Sequence, residues 1–327
     1  MSRRVIVVVA AAALVAGAFV VPVPILYVLV PGPVKDIERG IEVSGARTYS
    51  SEGRLYMTTV GVDVNATTAE IVAAAFDATK VVVTSGQITG GRSLDQVERA
   101  QRTEMAASKR HARVVALGAA GFGHPTGEGA RVLSTADNSP ADGVLEAGDV
   151  ITSVDGRRVA TACDVGRVVD ETDVGERVDV TVRREGGERD VMLSVARDRQ
   201  GHAYLGVGLT SVAYRFDPEV EVRLPTGRVA GPSAGLMLAL ALYDRLTPSD
   251  LTSARDIAGT GVLDCAGGVG RIGGVEQKVA AAERRGADVF LAPEENADAA
   301  RAAGPDIEVV GVATFDEALR YLEGSAA

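Results

Sequence analysis

Ser233 stands between two glycines in Gly231-Pro232-Ser233-Ala234-Gly235, and the only lysine after it, Lys278, follows 45 positions later. A serine hydroxyl becomes a nucleophile when a neighbouring base takes its proton. The spacing also fits the nucleophile elbow of α/β-hydrolases, in which the histidine base comes after the serine. All three histidines, His111, His124 and His202, precede Ser233, so that order is impossible here. Lysine can serve instead, because burial disfavours its charged form, whereas arginine keeps its proton at any working pH. The chain has four lysines, Lys35, Lys80, Lys109 and Lys278, and arginine supplies nearly all the other positive charge. Lys278 falls in Gly273-Gly274-Val275-Glu276-Gln277-Lys278-Val279-Ala280-Ala281-Ala282, which predicts a helix whose apolar setting lowers the amine's pKa.

The elements that must hold these two residues are legible nearby. A strand is expected just before the serine, and the run Leu236 to Leu246 after it is almost wholly apolar, so it predicts a helix buried nearly all round. The amino end of such a helix presents Ser233 together with the free N–H groups of Ser233 and Ala234, a setting suited to an oxyanion. Upstream, Ile41 to Val43 and Leu55 to Val62 read as strands about a Ser50-Ser51-Glu52-Gly53 turn, and Leu94 to Leu117, free of Gly and Pro, reads as one long helix.

Between these halves the pattern changes. Glycines cluster from Gly118, then short strands and turns follow, with Ser139-Pro140-Ala141-Asp142-Gly143 and Gly148-Asp149-Val150-Ile151-Thr152-Ser153-Val154-Asp155-Gly156. A helix is expected near Cys163 to Asp170. Alternating Val178, Val180, Val182 and Val191, Leu193, Val195 about Gly186-Gly187 predict a hairpin. The string from Ser139 to Gly156 makes residues 116–198 resemble a PDZ domain of the bacterial type. That resemblance implies peptide capture by strand addition, with Leu117 to Phe122 as a candidate carboxylate loop.

The catalytic strings resemble the proteolytic domain of the Lon family: the Gly-Pro-Ser-Ala-Gly serine, Thr260-Gly261, Ile272-Gly273-Gly274, Lys278, and Ala292-Pro293-Glu294-Glu295-Asn296. The resemblance implies a Ser233/Lys278 dyad assisted by Thr260 and covers residues 199–323. Two departures stand out: Ala230-Gly231 where the family often has Asp-Gly, and a remodelled segment from Asp264 to Gly270. The amino-terminal apolar run, the Pro31-Gly32-Pro33 exit, the Gly53 to Val62 strand and the Met105 to Leu117 helix segment further resemble the membrane-anchored, PDZ-containing branch of Lon-like proteases. The expected fold is then a mixed α/β (α+β) Lon-type domain with an inserted β-rich PDZ domain and one amino-terminal transmembrane helix. The expected divisions are an anchor at 1–33, the first part of the protease at 34–115, PDZ at 116–198 and the catalytic core at 199–327. Ring formation by identical chains is a tendency the resemblance brings with it.

Arg3 and Arg4 precede an uncharged apolar run from Val5 to Val30, long enough to span a bilayer and oriented with the body outside the cytoplasm. Ala16-Gly17-Ala18 keeps a cleaved signal peptide open as the alternative. A net charge of -10, with no Trp and 4% aromatics, argues against nucleic acid as a partner and leaves polypeptides and the membrane. No GxxxxGK[ST] string occurs, so no ATPase is expected, and neither metal nor cofactor is implied; Gly268-x-Gly270-x-x-Gly273 fits a dinucleotide fingerprint only weakly, since no clear strand leads into it. Cys163 and Cys265, about a hundred positions apart in different units, do not read as a bridge. The function expected is an ATP-independent serine endopeptidase, the alternative a non-proteolytic membrane-tethered PDZ scaffold.

Overall fold

The computed structural model describes residues 21–197, 203–227 and 229–324. It begins with a correction to the membrane expectation. Leu26–Pro31 is not helix but a strand, β1, so the predicted span cannot run to Val30. Pro22 and Pro24 break helical geometry just before it, and β-branched residues follow. The rest of that expectation lies outside the described residues, and among the described residues no helix is long and apolar enough to cross a membrane.

The chain continues through β2 (Arg54–Met57), β3 (Val60–Asp63), α1 (Thr68–Ala74) and β4 (Val81–Thr84). β1 lies between β3 and β4, antiparallel to both, and its Val28 packs with Ala66 and Ala74 in a small core of its own. Ordered structure therefore begins before residue 34, with a three-stranded sheet that includes part of the expected anchor. Next comes α2 (Leu94–Ala119), opened by a capping box between Ser93 and Gln96 and close to its expected limits.

The inserted β-rich unit follows: β5 (Ala130–Thr135), β6 (Val150–Val154), α3 (Ala162–Asp170), β7 (Arg177–Arg184), β8 (Gly187–Ser194) and β9 (Val207–Ser211). The expected hairpin is β7–β8, with Val178 opposite Leu193 and Val180 opposite Val191. The sheet order β8-β7-β6-β5-β9 leaves β9 at an edge, so this unit extends past the expected boundary at 198. Arg184 caps the Gly148-Asp149 turn by donating to both Asp149 oxygens, and its guanidinium holds the Asp149 carboxyl below the usual range.

After β9 the chain returns to the unit that holds β2 and α2, with α4 (Gly235–Leu246), β10 (Asp256–Gly259), β11 (Val262–Leu263), β12 (Val269–Gly270), α5 (Val275–Arg285), β13 (Val289–Pro293), α6 (Glu294–Ala302), β14 (Glu308–Val312) and α7 (Phe315–Gly324). β2, β10, β13 and β14 form a parallel sheet, with Lys35–Asp36 antiparallel on its β2 edge. β2 is thus not paired with the 42–44 strand as a hairpin; Glu42–Ser44 pairs with Glu221–Arg223 instead. Period-two alternation sends Leu55, Ile257 and Leu291 to a core shared with α2, α4 and α7, and Tyr56, Ala258 and Phe290 to one shared with α5 and α6. Both faces are covered, as a parallel sheet requires. α4 is buried from Gly235 through Leu242, in keeping with its apolar sequence.

The two cysteines, expected to be unpaired, form a disulfide between α3 and the loop joining β11 to β12. Sequence distance hid this because α3 packs on that loop: a Cβ placed on Gly166 would lie 3.5 Å from the Ala266 Cβ. In a chain-entropy account, closing a loop of about a hundred residues constrains the unfolded state by roughly 4–5 kcal/mol.

Candidate active site

Open parallel sheets place their clefts beyond the carboxyl ends of the strands. Thr58 follows β2 and Thr260 follows β10 on that edge, and a cleft of about 610 Å³ opens there, its lining including Thr58, Val60, Val62, Gly231, Ser233, Val262 and Lys278.

Each catalytic candidate is positioned by its backbone. Gly231 has φ +93°, a conformation that side chains rarely adopt, and its N–H donates to the Gln101 carbonyl of α2 at 3.1 Å. Pro232–Ala234 then forms a single 3₁₀ turn leading into α4. Gly235 must be glycine, since a Cβ there would lie 2.8 Å from both Leu263 Cβ and Ser108 Oγ. Ser108, buried on α2, donates to the Pro232 carbonyl at 2.9 Å. The Ser233 carbonyl accepts from the Gly261 N–H at 2.8 Å and from Thr260 Oγ1 at 3.0 Å. The nucleophile candidate is therefore braced from α2 on one side and from the β10–β11 turn on the other.

On the opposite wall, Gly274 (φ +66°) starts α5, and a Cβ there would collide with Val60 at 2.7 Å. Asn296 fixes the extended segment before it, accepting from the Ile272 N–H at 2.9 Å and donating to the Ile272 carbonyl at 3.2 Å. One turn into α5, Lys278 is only 4% exposed. Its Nζ lies 3.1 Å from Ser233 Oγ and 3.1 Å from Thr260 Oγ1. Burial lowers its pKa from the usual value to about 8.

The proton inventory of this trio is restrictive. Thr260 has one hydroxyl hydrogen, and it is donated to the Ser233 carbonyl, so towards Lys278 the threonine oxygen accepts. Lys278 spends an N–H on Thr260, and in its neutral form that leaves a lone pair for the Ser233 hydroxyl. The structure thus brings Ser233, Thr260 and Lys278 together, with the Ser233 and Ala234 N–H groups at a helix start, where the first donors lack intrahelical partners. No metal-holding group of His, Cys, Asp or Glu is found among the described residues.

Several supports carried no sequence signal. Ser108 and His111 sit three apart on α2, and His111 Nδ1 lies 3.0 Å from the Leu263 carbonyl behind the serine. The dinucleotide reading loses its frame, because β12 is two residues long and antiparallel to β11 rather than leading into a βαβ unit. The candidate carboxylate loop is also overturned: Leu117 is fully buried in the protease core at the end of α2. The groove of the β-rich unit lies elsewhere, about 480 Å³ between α3 and the free edge of β9, floored by the Tyr204-Leu205-Gly206 turn.

Comparison with known proteins finds two kinds of domain, with limits that differ from those of the sheets: the first match begins within α2 and ends before β9, and the second begins within β8. Residues 97–195 match the PDZ domain family, and residues 190–321 match the Lon protease (S16) C-terminal proteolytic domain. The chain therefore carries a PDZ domain and a Lon-type proteolytic domain. The Lon protease of Trichlorobacter lovleyi is 36% identical over 108 residues, covering 31% of this chain and 13% of that protein. That of Chloroflexus aggregans is 34% identical over 110 residues, covering 32% and 13% respectively. The chain thus spans only about an eighth of the length of these relatives. The PDZ domain of an SdrC-like protein from Listeria monocytogenes is 27% identical, with a TM-score of 0.25, over 26% of this chain and 90% of that one.

Proposed function

We propose that the protein is an ATP-independent serine endopeptidase working through a Ser233/Lys278 dyad. The observation that carries this reading is the buried Lys278 amine, 3.1 Å from Ser233 Oγ and with its pKa lowered to about 8 by burial. Neutral Lys278 takes the Ser233 proton as Oγ attacks the peptide carbonyl carbon. The oxyanion is met by the Ser233 and Ala234 N–H groups. Collapse expels the amine, which carries away the proton from Lys278, and a water, deprotonated by the same lysine, then cleaves the acyl ester. Thr260 holds the amine in place.

The PDZ domain captures substrate by adding a strand to the β9 edge, with a side chain seated against α3. Substrates are flexible or unfolded, reaching the cleft without an ATP-driven unfolding step. The body sits outside the cytoplasm, anchored through the apolar residues before β1. Pro22 is bridged to Thr67 at the start of α1, and Val72 of α1 and Phe76 just after it are exposed apolar side chains on the described part of the chain.

The test is cleavage of an unfolded protein substrate by the wild type, Ser233→Ala and Lys278→Arg, together with labelling of Ser233 by a fluorophosphonate. Full activity in either variant ends the proposal. The alternative, a non-proteolytic tethered scaffold, is favoured only by the preformed PDZ groove, and it requires peptide binding with Ser233 unlabelled.

A further inference from the structure

The Cys163–Cys265 bond joins two places that each have a function in the reading above. On one side, α3 lines the PDZ groove with Ala162, Val165 and Val169. Cys163 on the same helix bonds to Cys265, and Gly166, whose backbone also borders the groove, is where a Cβ would meet the Ala266 Cβ at 3.5 Å. The helix is thus held between the peptide groove and the loop after β11.

That loop is braced. Asp264 Oδ1 accepts from the N–H groups of Ala266, Gly267 and Gly268 at 2.8, 2.9 and 2.9 Å. The Gly267 carbonyl accepts from the Phe315 N–H at 2.8 Å. A displaced Cys265 therefore carries its neighbours along rather than swinging free. The residues immediately before it are the wall of the catalytic cleft: Val262 lines the cleft, Leu263 fills the space against Gly235, and Gly261 donates to the Ser233 carbonyl.

We propose that occupancy of the PDZ groove is transmitted to Ser233 through this covalent path, from α3 across Cys163–Cys265 to the Gly261–Asp264 strand. A peptide side chain seated against Val165 and Val169 favours one setting of α3 relative to β9, and the bond makes that setting and the position of residues 261–264 a single variable. A ligand shifts such a variable only by its differential affinity for the two settings, and the shift is reciprocal between the sites. With the bond opened, α3 and the loop lose their covalent link, and the coupling between the two sites falls.

The proposal rests on the protease reading for one of its two readouts. From a panel of five-residue peptides with free carboxylates and apolar last residues, the tightest binder is chosen by fluorescence anisotropy. Backbone amide exchange of residues 261–268 is then followed with and without it, in the wild type and in Cys163→Ser/Cys265→Ser, alongside turnover of a carboxyl-amidated fluorogenic peptide. The expected result is altered exchange at Gly261 and its neighbours and an at least threefold change in turnover in the wild type, both lost in the variant. Should the variant fail to fold, the wild type is measured before and after treatment with a dithiol, which reduces the two sulfurs to thiols and is itself oxidised to a cyclic disulfide. Exchange that is unaffected by the peptide, or affected equally without the bond, overturns the proposal, as does a panel in which nothing binds. Coupled exchange with no turnover and no labelling of Ser233 would leave the coupling standing and remove the peptidase.

Discussion

The pH dependence of turnover tests the dyad most directly. With the Lys278 pKa at about 8, the neutral amine is about one-eleventh of the total at pH 7, half at pH 8 and ten-elevenths at pH 9. kcat/KM is therefore expected to rise roughly tenfold from pH 7 to pH 9, with unit slope below pH 8 and a plateau above it. A lysine of ordinary pKa, about 10.4, would give nearly a hundredfold rise over the same interval and no plateau. The assay is initial-rate cleavage of a fluorogenic peptide containing no titratable group, corrected for the fraction of Ser233 titrated by a fluorophosphonate. The same shift has a thermodynamic side. Between about pH 8 and the ordinary lysine range the unfolded chain binds more protons than the folded one, so this group's contribution to stability rises with pH there. Replacing Lys278 by methionine should abolish activity yet stabilise the fold at pH 7, by on the order of 2–3 kcal/mol, with the gain shrinking as pH climbs through that window. A flat rate profile from pH 6 to 9, or a variant that loses stability at pH 7, would refute the claim of a desolvated amine.

Other positions make independent predictions. Gly231→Ala places a side chain at φ +93° and should lower kcat by at least tenfold with a melting temperature close to wild type; unchanged kcat would mean the turn before Ser233 is not constrained. Asn296→Ala leaves both Ile272 backbone groups without their side-chain partner and should cost roughly 2–4 kcal/mol in urea unfolding at about 1–2 kcal/mol per group, with a loss below 0.5 kcal/mol counting against the clamp. Glu38, whose pKa is pushed up to about 8 by burial and then by Asp244, takes up a proton on folding, so its contribution is present below the ordinary carboxylate range and lost as pH rises through 8. Glu38→Gln should therefore raise the melting temperature at pH 9 more than at pH 5, and equal shifts would contradict that assignment.

Sequence reading recovered the parts whose signals are local. α4 is apolar from Leu236 through Leu242, the β7–β8 hairpin alternates with period two, and α2 runs without Gly or Pro from Leu94 to Leu117, so each announces itself locally. The meeting of Ser233, Thr260 and Lys278 was expected only by resemblance, because no local rule tells where a helix 45 residues away will point. What stayed hidden depended on packing between distant segments. Leu26–Pro31 is as apolar as a membrane span, and only its pairing with β3 and β4 makes it a strand. Tyr204-Leu205-Gly206 became the floor of a groove because β9 returns to the sheet edge after the end expected from the hairpin pattern. Cys163 and Cys265 are joined because α3 packs on a loop that composition places in another unit.

The same bond makes residues 163 to 265 a covalent ring, and Ser233 lies inside it. A single nick anywhere within that ring, whether made by a contaminating enzyme or by a second copy of this chain, would release nothing. The two pieces would migrate together in electrophoresis without reductant and separate only with it. An intact-looking band in a non-reducing gel is therefore no proof that the backbone is whole.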